Sequence, residues 1–212
     1  EQRDVHGERG ARPRAEPAAR AASPSTSARV ALLGCGTVGS ALVRLLKHTP
    51  NGAVRVDRAF VRRVHPRAAD LEVQFTTSPE TALADSPDVV VELLGGCDPA
   101  RGLVIEALTR GIPVVTANKS LLARHGRELR EIASRVGVPL LYEAAVIAGV
   151  PFLGSFARRP LAADAHALLG IVNGTSNFVL SQSARPALDS AGALRLAQGP
   201  GYAGPNPRNH GG

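Results

Sequence analysis

Between residues 29 and 143, apolar positions fall in two alternating patterns: short, β-branched-rich runs, and longer stretches where apolar residues recur every three to four positions. The runs "RVALLG", "AVRVDRAFVRRV", "LEVQFTT", "DVVVELLGG", "IPVVTA" and "PLLYEA" predict strands over 29–34, 53–64, 71–77, 88–96, 112–117 and 139–144. Helices are predicted over 37–48, 78–84, 99–110 and 120–136. Strand and helix in strict turn predict a parallel sheet covered on both faces. The unbroken apolar centre of "DVVVELL" suits a strand buried on both sides. Gly111 before Pro113 and Gly137 before Pro139 mark two helix ends. After Glu143 the alternation stops, so a second unit is expected over 144–212. Residues 1–27 are rich in Ala, Arg, Pro and Ser without periodicity, the composition of a disordered tail.

Composition narrows the function classes. The net charge of +7 raises the question of nucleic acid, but the basic residues are scattered and nearly all arginine. Aromatics make up 3% of the chain, so no stacking platform for a single strand is expected. No apolar run is long enough for a membrane-spanning helix. Two cysteines, Cys35 and Cys97, without metal or redox spacing point to the cytoplasm.

The strongest local signal is "GCGTVG". Gly34, Gly36 and Gly39 form a GxGxxG frame, with Cys35, Thr37 and Val38 between them, directly after a predicted strand and at the start of a predicted helix. Such a turn binds a dinucleotide: one glycine allows the bend, one lets the backbone approach the diphosphate, and one lets helix and strand pack closely. Free N–H groups at the helix start then face the phosphates. Two candidates compete for the adenosine ribose. Asp57 stands where spacing puts an acid for the NAD hydroxyl, whereas a strand continuing through "AFV" delivers Arg62 and Arg63 to a 2′-phosphate, with Arg67 as a second contact. The arginines favour NADP(H) over NAD(H).

Five further segments, "VVELLGG", "VVTANKSLLARHGREL", "YEAAVIAGVP", "GIVNGTSNFVLS" and "AQGPGYAGPNP", stand in the order and spacing of homoserine dehydrogenases, and with the glycine turn the chain resembles that family from Arg29 to about Pro207. The resemblance implies a Rossmann-type doubly wound domain over 28–143 and a mixed α/β substrate and dimerisation domain, incomplete here, over 144–212. It implies NAD(P)H-linked interconversion of L-aspartate 4-semialdehyde and L-homoserine, and a homodimer. Lys119 of "TANK" becomes a catalytic cation at a strand's carboxyl end, and Gly95 and Gly96 leave room for the nicotinamide. Glu143 and the carbonyls of Val146, Ala148 and Val150 become a site for Na+ or K+, while Thr175 and Tyr202 become substrate positions. A Cys97–His125 nucleophile is rejected, because hydride transfer to an aldehyde needs no covalent intermediate.

The chain departs from the family pattern near its end. Gly204 stands where the family's "GYAE" has a glutamate, Asn206 and His210 replace expected aspartates, and the usual proton-donor lysine would fall after Gly212. These departures support an alternative expectation, a non-catalytic NADP(H)-binding module or a degenerate paralogue.

Overall fold

The computed structural model describes residues 27–49, 52–63, 70–150, 152–158, 167, 169–170, 172, 174–184 and 189–198. It opens with strand β1 (Ala28–Leu33), in which Val30 to Leu33 are all buried, as the central strand of a sheet must be. Helix α1 (Thr37–Lys47) follows, then β2 (Val54–Phe60), β3 (Gln74–Thr76), α2 (Pro79–Ala82), β4 (Val89–Glu92) and α3 (Ala100–Thr109). Strand β5 (Val114–Thr116), α4 (Lys119–Val136) and β6 (Leu140–Leu141) complete the alternation. All neighbouring strands pair parallel in the order β3-β2-β1-β4-β5-β6, the strand order of a Rossmann fold.

Two apolar clusters, one on each face, hold the sheet. On one, Ala31, Leu33, Phe60, Val90 and Val114 pack with Leu83, with Leu103, Val104, Ala107 and Leu108 of α3, and with Leu121, Leu129 and Ala133 of α4. On the other, Leu32, Ala59 and Val56 pack with Val43 of α1 and with Leu71. The expected double winding is present.

Most strands are shorter than their apolar runs: the fourth stops at Glu92 instead of reaching residue 96, and the fifth keeps only Val114–Thr116 of 112–117. The second stops at Phe60 instead of reaching residue 64, and it contains a bulge: Val56 pairs with Val30 and Arg58 with Ala31, leaving Asp57 as an extra residue. The third shrinks to three residues because Glu72 turns the backbone into the left-handed region, φ 51°. The sixth keeps two residues before a 3₁₀ turn over Glu143–Ala145. Helix boundaries agree closely with the pattern. Gly137 caps α4 at φ 80°, with its N–H donating to the Ala133 carbonyl at 2.8 Å.

Beyond the 3₁₀ turn, the described elements are helical: α5 (Phe152–Arg158), α6 (Gly174–Ser183) and α7 (Ser190–Gln198), where Ala193 and Ala197 of α7 are fully buried. Among the described residues, no helix is long and apolar enough to cross a membrane.

Candidate dinucleotide site

The chain crosses from one half of the sheet to the other between β1 and β4, and a crevice opens there beyond the strands' carboxyl ends. Gly34 makes that approach tight. At φ 98°, an added Cβ would lie 2.7 Å from the Leu93 carbonyl oxygen and 2.9 Å from the Leu94 nitrogen. Gly39 is restricted in the same way, because its Cβ would collide with the Gly34 carbonyl oxygen. Gly36 is different: nothing lies within 4 Å of its Cβ position, so the space beside it is open to a ligand.

Gly36 is also the N-cap of α1, and it offers no side-chain acceptor to the helix amides. No acid stands in the first turn to oppose an anion there. Gly36, Thr37 and Val38 are exposed and Cys35 is half-buried. A cavity of about 940 Å³ joins Gly34, Cys35, Gly36 and Thr37 to Arg44, Arg62 and Arg63. Burial pushes the Cys35 thiol above its ordinary pKa, and the charge of Arg44 opposes that shift less strongly.

The structure separates the two ribose candidates. Asp57 lies at the bulge, where Arg55 Nε holds its Oδ1 at 2.8 Å, and it lines a different cavity beneath α1. Arg62 and Arg63 line the crevice itself, and they are exposed. The sequence reading did not single out Arg44, which the last turn of α1 carries to the same wall. Arg67 lies outside the described residues.

On the other side of the switch point, Gly95 and Gly96 make a turn after β4 at φ 74° and 72°, a conformation that side-chain-bearing residues rarely adopt. Lys119 is the first residue of α4 and is exposed, and its side chain makes no hydrogen bond or ion pair to another described residue. Its turn is set by Asn118, whose Oδ1 accepts from the Leu121 N–H at 3.1 Å as a helix cap. Behind both turns lies Glu92, fully buried at the end of β4. Its carboxylate accepts from the Thr116 hydroxyl at 2.5 Å, the Leu94 N–H at 2.8 Å and Asn118 Nδ2 at 3.1 Å. This group was missed at the sequence level. Its signal was a lone acid inside the apolar run "DVVVELL".

Glu143 sits at the start of the 3₁₀ turn, and its Oε1 accepts from the N–H groups of Leu153 at 3.0 Å and Gly154 at 3.4 Å, near the start of α5. Val146, Ala148 and Val150 follow in a loop where Ile147 has φ 53° and the Val150 carbonyl accepts from the Phe152 N–H at 2.7 Å. Thr175 falls in α6; Tyr202, Gly204, Asn206 and His210 lie outside the described residues. Cys97 points its thiol at the Ser120 carbonyl, 3.6 Å away, while His125 faces Glu128. No nucleophile pair forms from them.

A parallel six-stranded sheet with a glycine turn at its switch point defines a dinucleotide-binding α/β fold. The family model "Homoserine dehydrogenase, NAD binding domain" matches residues 34–143, and "Homoserine dehydrogenase" matches 151–210. The homoserine dehydrogenase of Synechocystis sp. is 37% identical over 188 residues, which cover 84% of this chain and 43% of that protein. The homoserine dehydrogenase of Corynebacterium glutamicum is 38% identical over 194 residues, 87% of this chain and 43% of that protein. The crystal structure of a homoserine dehydrogenase from Thiobacillus denitrificans superposes with a TM-score of 0.71 at 38% identity, covering 86% of this chain and 44% of that one. The chain belongs to the homoserine dehydrogenase family. It spans less than half the length of these relatives.

Proposed function

We propose that residues 28–143 form the NADP(H)-binding domain of an enzyme that interconverts L-aspartate 4-semialdehyde and L-homoserine, with residues 144–212 contributing part of its substrate domain. The observation that carries this reading is the cradle at Gly36: open space, unopposed helix amides and three arginines on one wall. The donor set fits the cofactor. Amides at the start of α1 would hold the diphosphate, Arg62 with Arg63 and Arg44 the 2′-phosphate, and the Gly95–Gly96 turn the nicotinamide half. Bound there, NADPH supplies the hydride for reduction of the aldehyde. Lys119, exposed and with its side chain free of described partners, provides the cation beside that ring.

The same reading gives Na+ or K+ to Glu143 and the carbonyls of Val146, Ala148 and Val150, all of them hard oxygens. Glu143 Oε1 is already engaged by two amides, so its other oxygen would serve the ion. Small-molecule chemistry in the cytoplasm by a homodimer, with Thr175 and Tyr202 in the substrate pocket, completes the assignment.

NADPH oxidation in the presence of aspartate semialdehyde tests it, assayed on this chain and on one extended to the length of the relatives. Turnover by either supports the enzyme. A second reading, a binding module without turnover, is favoured by Gly204, Asn206 and His210 at positions where the family pattern has acids. NADPH binding with no turnover from either chain selects it. Absence of binding refutes both.

A further inference from the structure

Among the described residues, three polar side chains are buried: Glu92, Thr116 and Asn118. All three belong to one network. Glu92 Oε2 accepts from the Thr116 hydroxyl, and Oε1 accepts from both Leu94 N–H and Asn118 Nδ2. Thr116 Oγ1 in turn accepts from the Asn118 N–H at 3.0 Å, and Asn118 Nδ2 also donates to the Gly96 carbonyl at 2.6 Å. One carboxylate thus ties the turn after β4 to the turn after β5.

The sheet does not need an acid there. β4 and β5 are already paired through Val90–Val114, Val91–Val115 and Glu92–Thr116, and an apolar residue at 92 would continue the buried run. Burying a carboxylate is costly even when it is hydrogen-bonded, and its partners among the described residues are uncharged donors. The bonds it makes lead to the Gly95–Gly96 turn and to the helix start that carries Lys119. One of them holds the Leu94 N–H, whose nitrogen lies against Gly34, but none goes directly to the glycine turn after β1 or to Arg44, Arg62 or Arg63.

In a doubly wound sheet each half takes one mononucleotide, so the β4–β5 side takes the nicotinamide half. We propose that Glu92 is a positioning residue for that half: its carboxylate holds the Gly95–Gly96 turn and Lys119 in the register that receives the nicotinamide. This rests on the reading of the crevice as an NADP(H) site.

The test compares two ligands. NADPH spans both halves, whereas 2′,5′-ADP occupies only the adenosine half. Both are titrated against wild type, Glu92→Ala, Glu92→Gln and Thr116→Val, with folding followed by circular dichroism. Loss of buried hydrogen bonds at one end should weaken NADPH about tenfold in Glu92→Ala while changing 2′,5′-ADP by less than about twofold. Thr116→Val, which keeps the side-chain shape, should show the same split at smaller size. Should Glu92→Ala fail to fold, Glu92→Gln and Thr116→Val decide the matter. Equal weakening of both ligands, or of neither, overturns the proposal. So does a wild type that binds NADPH no more tightly than 2′,5′-ADP. A wild type that binds neither ligand overturns the cofactor reading first.

Discussion

Gly34 and Gly36 lie two residues apart in one turn, and alanine at each should fail in opposite ways. In Gly34→Ala the new Cβ meets backbone atoms of Leu93 at 2.7 and 2.8 Å. Those atoms have little room to retreat, because the Leu93 N–H is bonded to the Leu33 carbonyl at 2.7 Å. Left-handed strain of about 1–2 kcal/mol adds to overpacking of about 1–3 kcal/mol. The sum, about 2–5 kcal/mol, is a large part of the ~5–15 kcal/mol that keeps a domain folded. In Gly36→Ala the Cβ meets nothing in the free protein. A gain of about 0.4–1 kcal/mol from the stiffer unfolded chain offsets the poorer N-cap, so stability should change little. The methyl would, however, occupy the diphosphate's approach. Losing two charge-assisted amide bonds at about 1.5 kcal/mol each weakens NADPH by roughly a hundredfold. Thermal unfolding by circular dichroism and NADPH titration by fluorescence measure the two effects. If Gly36→Ala binds as wild type does, or unfolds as easily as Gly34→Ala, the account of this turn is wrong.

The arginine wall predicts that Arg62→Gln combined with Arg63→Gln lowers NADPH affinity and leaves NADH affinity nearly unchanged; an equal drop for both coenzymes would count against 2′-phosphate contact. Gly137→Ala, placed at φ 80°, should cost about 1 kcal/mol and lower Tm without altering NADPH binding. Glu128 accepts two hydrogen bonds from Arg101, which hold its carboxyl below the ordinary glutamate value, with a smaller contribution from the nearby His125 charge. Since the folded-state pKa is the lower one, this contribution is present above the ordinary glutamate range and fades as pH falls through the folded value. The pair is exposed, so Glu128→Gln should flatten the acid limb of the stability curve only slightly, and less at high salt; a large change in denaturant midpoint at pH 7 would contradict this.

The alternation of strand and helix could be read from the chain because each βα unit carries its own period and its own stop. Gly111 and Gly137 end helices where the pattern requires, and "VVVE" alternates half-buried Val89 and Val91 with fully buried Val90 and Glu92. The glycine turn was legible for the same reason, since its chemistry is local backbone chemistry. What the sequence hid depends on neighbours from other strands. The bulge at Asp57 is a pairing event between β1 and β2, and it places Val56 and Ala59, three residues apart, in the same apolar cluster. Period-two reading cannot see that shift. Glu92 has meaning only once Thr116 and Asn118 stand beside it. Arg44 looks like any exposed helical charge until the crevice wall is assembled around it.

That extra residue in β2 also bears on how coenzyme choice could be altered. Val56 and Arg58 already pair with adjacent residues of β1, so excising Asp57 removes a kink without asking the ladder to slip. The segment leading to Arg62 and Arg63 would then leave the sheet at a new angle to the crevice. Chain length at one position, with no side chain in the pocket exchanged, should therefore change the ratio of NADPH to NADH affinity.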